Sequence, residues 1–377
     1  MPRPRALRPV ALRPVAARPF APRPRPVRPR SARRLLAVLA AATLAACSAA
    51  GTAADPQPGG SAGTPSAGTP AAGAPGSGAP GSGSGTTGTT GTTGPGPSAS
   101  ASPSPSPAPL AQLPHGGRSI FPAHVVVMSY GTARTPTLGV LGEGTPDQAA
   151  KALTARAKPF QAASGRPVLP AFELITTIAQ RSPGADGTYS GLVADADVQR
   201  YLDAARKAGM MLVLDFQPGR ADVLAQVKRY ERFLLQPEVG IALDPEWALK
   251  PGQRPGRQIG TMDAATINRV SAYLSELTTR NRLPEKLFIV HQFQKRMLPD
   301  RQKVVDRPGL ALVFHVDGFG PQSQKKDTYD VLATRDGRAP GGRAHNGFKL
   351  FLDEDTDLMT PAEAMALVPR PELLSYQ

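Results

Sequence analysis

The sequence predicts an α/β protein built on a (β/α)8 barrel of the TIM type, without its last helix and with a disordered linker ahead of it. Eight short apolar runs recur between positions 124 and 376, amphipathic helical patterns lie between them, and no Gly-rich phosphate turn follows the first run. Runs of four to eight apolar residues alternating with helices imply parallel strands joined by crossovers. Eight such runs over some 260 residues match a barrel in count and length. The missing phosphate turn argues against a doubly wound sheet.

In chain order the runs are HVVVMSY (124–130), PVLPAF (167–172), MMLVLDF (210–216), VGIALD (239–244), KLFIVHQF (286–293), LALVFHVD (310–317), FKLFLDED (348–355) and LLSY (373–376). Two helices announce themselves by their caps, Thr145-Pro-Asp-Gln and Thr360-Pro-Ala-Glu. Each has Thr at the cap, Pro at the first helical position, and Gln or Glu three residues after the cap. Further amphipathic patterns fall at 197–209, 221–235 and 264–280. The sequence stops soon after the eighth run, so residues 110–122 are expected to cover the flank that a last helix would occupy.

The formal charge of +15 first points to a nucleic-acid partner, but its distribution removes that reading. Eleven arginines and no acid lie in residues 1–34, so the chain without them carries only +4. An apolar segment at 35–46 follows, too short to span a bilayer. It ends in Leu44-Ala45-Ala46-Cys47, with Cys47 the single cysteine of the chain. The basic region, short apolar core and small residues before a cysteine resemble a bacterial lipoprotein signal peptide. The resemblance implies removal of residues 1–46, lipidation of Cys47, and attachment to the extracellular face of the cell membrane. One cysteine excludes an intramolecular disulfide. From 48 to 109 the chain is Gly, Ser, Thr, Pro and Ala apart from Gln57 and Asp55, its one charge. Such a segment buries too little apolar surface to fold, so 47–112 is expected to be a tether and 113–377 the barrel domain.

In a barrel of this kind the chemistry sits at the C-terminal ends of the strands. Those positions carry Tyr130, Glu173, Asp215, Asp244 with Glu246, His291 with Gln292, His315 with Asp317, and Asp353 with Glu354 and Asp355. Singly, each suits a cap or a loop contact; together they form an acid-rich mouth on an apolar barrel. Asp244 and Glu246, two residues apart on one strand, would point to one face with Cα atoms about 6.5–7 Å apart. Proximity raises the pKa of one carboxyl and leaves the other charged, which suits glycoside cleavage. Trp247 offers a face on which a sugar ring stacks.

The stretch GIALDPEW (240–247) resembles the fourth-strand signature of family 18 glycoside hydrolases, the chitinases and related endo-acting enzymes. The resemblance implies Glu246 as general acid and Asp244 as the group that orients a substrate N-acetyl nucleophile. The family's first acid is Ala242 here, its third-strand Ser-x-Gly-Gly reads LDFQPG, and its sixth-strand Tyr-Asp is echoed in FHVDGF by Asp317 alone. The domain also resembles surface lipoproteins of high-GC Gram-positive bacteria.

The leading expectation is a lipid-anchored, monomeric glycoside hydrolase acting on a cell-wall or other N-acetylated glycan, with no metal and no cofactor. Glu246 and Asp244 are its first-line acids, Asp215 and Asp317 its second. Tyr130, Glu173, Trp247, His291, Gln292, His315 and Asp353 would line the cleft. Two alternatives stand beside it. A metal-dependent hydrolase would draw on His124, His291 and His315 with Asp215, Asp244 or Asp317, although His124 starts its strand. A carbohydrate-binding barrel without catalysis is favoured by Ala242. The acidic run 353–357 lacks the glycine and glutamate of a calcium loop and is expected to lead into a helix N-terminus instead.

Overall fold

A computed structural model describes residues 109–377. The expected signal sequence, Cys47 and the expected linker as far as residue 108 lie outside them. Eight parallel strands, β1 (Val125–Gly131), β2 (Val168–Ala179), β3 (Met211–Phe216), β4 (Val239–Leu243), β5 (Lys286–Gln292), β6 (Leu310–Val316), β7 (His345–Leu350) and β8 (Leu373–Tyr376), pair in sequence. The circle closes where β8 pairs with β1, Val126 opposite Leu373 through Ser129 opposite Tyr376. This is the predicted barrel, and each strand falls on a predicted run.

Alternation explains why the strands bury both faces. On the inside, Val126, Met128, Leu169, Ala171, Met211, Val213, Ala242, Leu287, Ile289, Ala311, Val313 and Leu373 form one apolar cluster. Their neighbours in sequence point outward to a second, larger cluster shared with the helices. Those helices are α1 (Pro146–Ser164), α2 (Asp195–Lys207), α3 (Val223–Arg229), α4 (Glu231–Leu234), α5 (Ala264–Arg280), α6 (Gln322–Leu332) and α7 (Pro361–Met365). Both predicted capping boxes are formed, at Thr145 with Gln148 and at Thr360 with Glu363.

The differences are instructive. Strand β2 runs to Ala179, seven residues past its predicted end, and its extension pairs antiparallel with Ser190–Leu192. The β-branched run Ile175-Thr176-Thr177-Ile178 favours this extended arm above the barrel. Strand β7 begins at His345, three residues before the predicted run, because His345, Asn346 and Gly347 carry no apolar signal. The segment 221–235 breaks into α3 and α4 at Tyr230. Among the described residues no α-helix follows β8, as predicted, but none follows β5 either. Two 3-10 turns, Lys295–Met297 and Arg301–Lys303, replace it.

The segment before β1 does not lie on a flank. Leu113, Ile120 and Phe121 join the interior cluster from below and stopper the N-terminal end of the barrel. Arg118 fastens the stopper, donating from Nη2 to the carbonyls of Arg282 (3.0 Å) and Leu283 (2.9 Å) just before β5. Its own carbonyl accepts from the Glu285 amide at 2.8 Å. Arg166, just before β2, donates to the Pro122 carbonyl at 3.0 Å. The sequence places apolar residues here without showing which opening they fill; in the structure they pack on the apolar residues of the barrel's own bore.

Ile120 is fully buried, so Ile120→Ala is expected to cost about 2–4 kcal/mol of unfolding free energy through lost burial and a residual cavity. Urea denaturation of the purified protein checks this; a loss below about 0.5 kcal/mol would show that the stopper is not part of the cooperative fold.

Candidate active site

Inside the barrel the side chains change from apolar to polar on the way up. Val126 and Met128 lead to Tyr130 on β1, Leu169 and Ala171 to Glu173 on β2, and Met211 and Val213 to Asp215 on β3. Leu287 and Ile289 lead to His291 on β5, Ala311 and Val313 to His315 on β6. Register sets Tyr130 beside Glu173, His291 beside His315, and Lys349 of β7 beside Ser375 of β8. One polar layer therefore crosses the upper barrel, with Glu173, Asp215 and His315 fully buried.

His291 organises it. Its Nε2 lies 2.7 Å from Glu173 Oε1 and its Nδ1 3.1 Å from Asp317 Oδ2. Burial opposes a charge on the ring, but the negative charge of Glu173 and the hydrogen bonds to both carboxyls hold the His291 pKa well above its ordinary value. Protonated, the ring donates to both acids. Lys349 Nζ donates to the same Asp317 Oδ2 at 3.3 Å and sits 3.5 Å from the centre of the Tyr130 ring. Burial resists the charge of Asp317, yet Lys349 and His291 keep its carboxyl well below the usual range. Burial likewise works against Lys349, and the surrounding acids, Asp317 foremost, raise its pKa.

Beside this ionised set stand neutral groups. Tyr130 donates to Asp215 Oδ2 at 3.1 Å, and Gln217 Nε2 donates to the tyrosine oxygen at 3.3 Å. Burial, then the charge of Asp244, pushes the Asp215 pKa well up. His315 Nε2 shares a hydrogen bond with Ser375 Oγ at 2.7 Å, and burial and the charge on His291 push its pKa well down. Its Nδ1 faces Gly347, where a Cβ would stand 2.2 Å away; only glycine leaves room for the ring. Glu173 Oε2, Asp215 Oδ1 and His315 Nδ1 are buried without a hydrogen-bond partner.

Asp244 and Glu246 lie over this layer, though not on one strand face as predicted. β4 ends at Leu243, and Pro245–Trp247 forms a 3-10 turn capped by Asp244, whose Oδ1 accepts from the Glu246 amide at 3.3 Å. The proline that stops the strand also starts the turn. Burial raises Asp244 to about 6, while burial and the Asp244 charge raise Glu246 to about 8. Glu246 and Trp247 keep partial access to solvent, whereas Asp244 is buried. Ala242, where the signature's first acid would stand, is the register partner of Asp215. The neighbouring strand thus supplies a carboxyl at that level of the barrel.

Not every predicted lining residue faces the mouth. Gln292 follows His291 by one position and so points out of the barrel, donating to the Gln294 carbonyl at 3.2 Å and accepting from Arg301 at 3.0 Å. Asp353 lies exposed on the turn beyond β7, where its charge helps raise the Glu354 pKa. Asp355 is buried against Lys325 at 2.8 Å, and Asp357 accepts from the Gln322 amide at 2.8 Å. The acidic run thus meets the start of α6 rather than the helix that follows it in sequence. His124 sits at the stoppered end, its Nδ1 3.4 Å from the Ile120 carbonyl, and cannot join His291 and His315. Among the described residues, no three His, Cys, Asp or Glu side chains are grouped to hold a metal ion. Lys349 and Gln217 were not foreseen; inward parity on β7, two residues beyond Gly347, is the signal that finds the lysine.

Chemically, the site offers a half-accessible neutral acid, a second acid that titrates near neutrality, and a carboxylate fixed in its charged form by two cations. Lys349→Met is expected to return the Asp317 pKa toward the ordinary range, read by carboxyl NMR titration, and to cost about 3–5 kcal/mol by stranding a buried charge. Glu246 has its folded pKa above its unfolded one, so its contribution to stability is complete below about pH 4.5 and lost as pH rises through about 8. Glu246→Gln should therefore lose that decline and gain about 1–3 kcal/mol on wild type above pH 8, in urea melts run at pH 5 and 8.5. Equal profiles for the two proteins would contradict this assignment. In comparisons with known proteins, no family model and no curated protein matches the chain.

Proposed function

We propose that the protein is a glycoside hydrolase acting on a cell-wall or other N-acetylated glycan, held at the extracellular face of the membrane by a lipid on Cys47. The observation that supports the catalytic reading is the position of Glu246, a partly accessible residue on the 3-10 turn above the polar layer, where burial and the Asp244 charge raise its pKa to about 8. A carboxyl that remains protonated at neutral pH can give its proton to a glycosidic oxygen as the bond to the anomeric carbon breaks. In this reading the N-acetyl carbonyl oxygen of the substrate attacks that carbon, and ionised Asp244 orients the amide. Water then opens the cyclic intermediate, and the Glu246 carboxylate takes up the proton from water. Trp247, partly exposed next to Glu246, would stack on a sugar ring in this reading. The anchor rests on Leu44–Cys47 alone.

A second reading, a carbohydrate-binding barrel without turnover, draws on Ala242 and on the complete burial of Glu173 and Asp215. One experiment separates the two. Peptidoglycan and labelled oligosaccharides are incubated with the purified protein and with Glu246→Gln. The hydrolase reading expects cleavage that falls about 10²–10⁴-fold in the variant. It also expects a bell-shaped rate profile whose limbs, properties of the coupled pair, lie near pH 6 and 8. Cleavage that survives the substitution moves the chemistry elsewhere, and binding without cleavage leaves the second reading standing.

A further inference from the structure

The loop between the proposed acid and α5 reads ALKPGQRPGRQIGTM over 248–262 and holds no acidic residue. Within it a cation-Pro-Gly unit occurs twice, four residues apart: Lys250-Pro251-Gly252 and Arg254-Pro255-Gly256. Each is a closed β-turn. The Gln253 amide donates to the Lys250 carbonyl at 3.0 Å and the Arg257 amide to the Arg254 carbonyl at 3.1 Å. Gly252 and Gly256 take the positive φ, +85° and +72°, that such turns require. The two turns set Lys250, Arg254 and Arg257 at regular corners, all three exposed.

The loop is fixed to the site at both ends. The Gly260 amide donates to the Glu246 carbonyl at 2.6 Å, and Thr261 to Ala248 at 3.0 Å. Arg220 Nε holds the Gln253 carbonyl at 3.0 Å. Across the rim, the Met262 amide donates to the Met297 carbonyl at 3.0 Å, which brings in the segment 293–299. That segment also lacks an acid and exposes Lys295 and Arg296. The adjoining acids are engaged elsewhere: Asp263 accepts from the Thr266 amide and Asp300 from the Ala264 amide, both at 2.8 Å at the start of α5. A concavity of about 200 Å³ beside the loop is lined by Lys250 and by Asp222, Asp263 and Arg269, with Arg269 paired to Asp222 at 3.1 Å, so the exposed turn corners and not this hollow carry the free positive charge.

We propose that this rim binds a glycan polymer bearing regularly repeated anionic groups, carboxylate or phosphodiester, and feeds it toward Glu246. Cations at fixed turn corners match a repeating anion better than a lone one, and their attraction extends about 8–10 Å at moderate salt. The inference adds a substrate class to the proposed function, and its test does not depend on turnover.

The full chain and a Glu246→Gln form are mixed with polygalacturonate, with poly(glycerol phosphate), or with vesicles of phosphatidylglycerol in phosphatidylcholine. Acetylation of lysines is then mapped by mass spectrometry. Protection of Lys250 and Lys295 by either polymer, equal in both forms, is the expected result, and the polymer that protects identifies the anion. Replacing Lys250, Arg254, Arg257, Lys295 and Arg296 with Gln is expected to weaken polymer binding at least about tenfold at 0.1 M salt. Arg338→Gln with Arg343→Gln, exposed on the opposite face, should change it less than about twofold. Protection by vesicles alone, or by none of the three, overturns the proposal. Cleavage of neutral oligosaccharides without protection leaves the hydrolase reading intact, and protection without cleavage removes only that reading.

Discussion

The upper barrel depends on one imidazole. His291 stands between Glu173 and Asp317, and without its charge two carboxyls would share the buried bore unpaired by this ring. Lys349 completes the balance on the other side of Asp317. A buried carboxylate is tolerable only when paired and hydrogen-bonded, and here one acid has two cationic partners. The apolar residues beneath can pack as a plain core because the charges above them close among themselves.

That closure decides what the remaining acids do. With the available positive charge committed to Asp317 and Glu173, Asp215 and Asp244 receive only partial compensation, and burial drives their pKa values up. Glu246, farther out on its 3-10 turn, feels Asp244 and rises further. Asp317 on one side and Asp215, Asp244 and Glu246 on the other are thus shifted in opposite directions by the order in which two cations are allotted. Of the two acids raised furthest in this account, Asp215 is sealed inside the barrel and Glu246 is partly accessible.

Much of this could be read from sequence, and the failures have physical reasons. Strand positions followed from apolar runs, since a strand buried on both faces needs them. Tyr130, Asp215, His291 and His315 were found because each closes such a run with inward parity. Gln292 was misplaced by proximity, a single residue from His291 on a chain that alternates. Asp353 was misplaced because the polar start of β7 shifted its predicted frame, and the same shift hid Lys349 among hydrophobic neighbours. Glu173 lies within its strand rather than at its end, because the β-branched arm after it gave no stop signal. The pairing of His291 with two acids joins residues up to 118 positions apart and belongs to the closed barrel alone.

The stopper under the barrel has a geometric consequence. Because Leu113, Ile120 and Phe121 fill the N-terminal opening, the chain enters the domain at the pole opposite the carboxyls. Any attachment made through the preceding residues pulls on the blind end. A force applied through the chain ahead of Leu113 would therefore reach the strands at their N-terminal ends, away from Glu246.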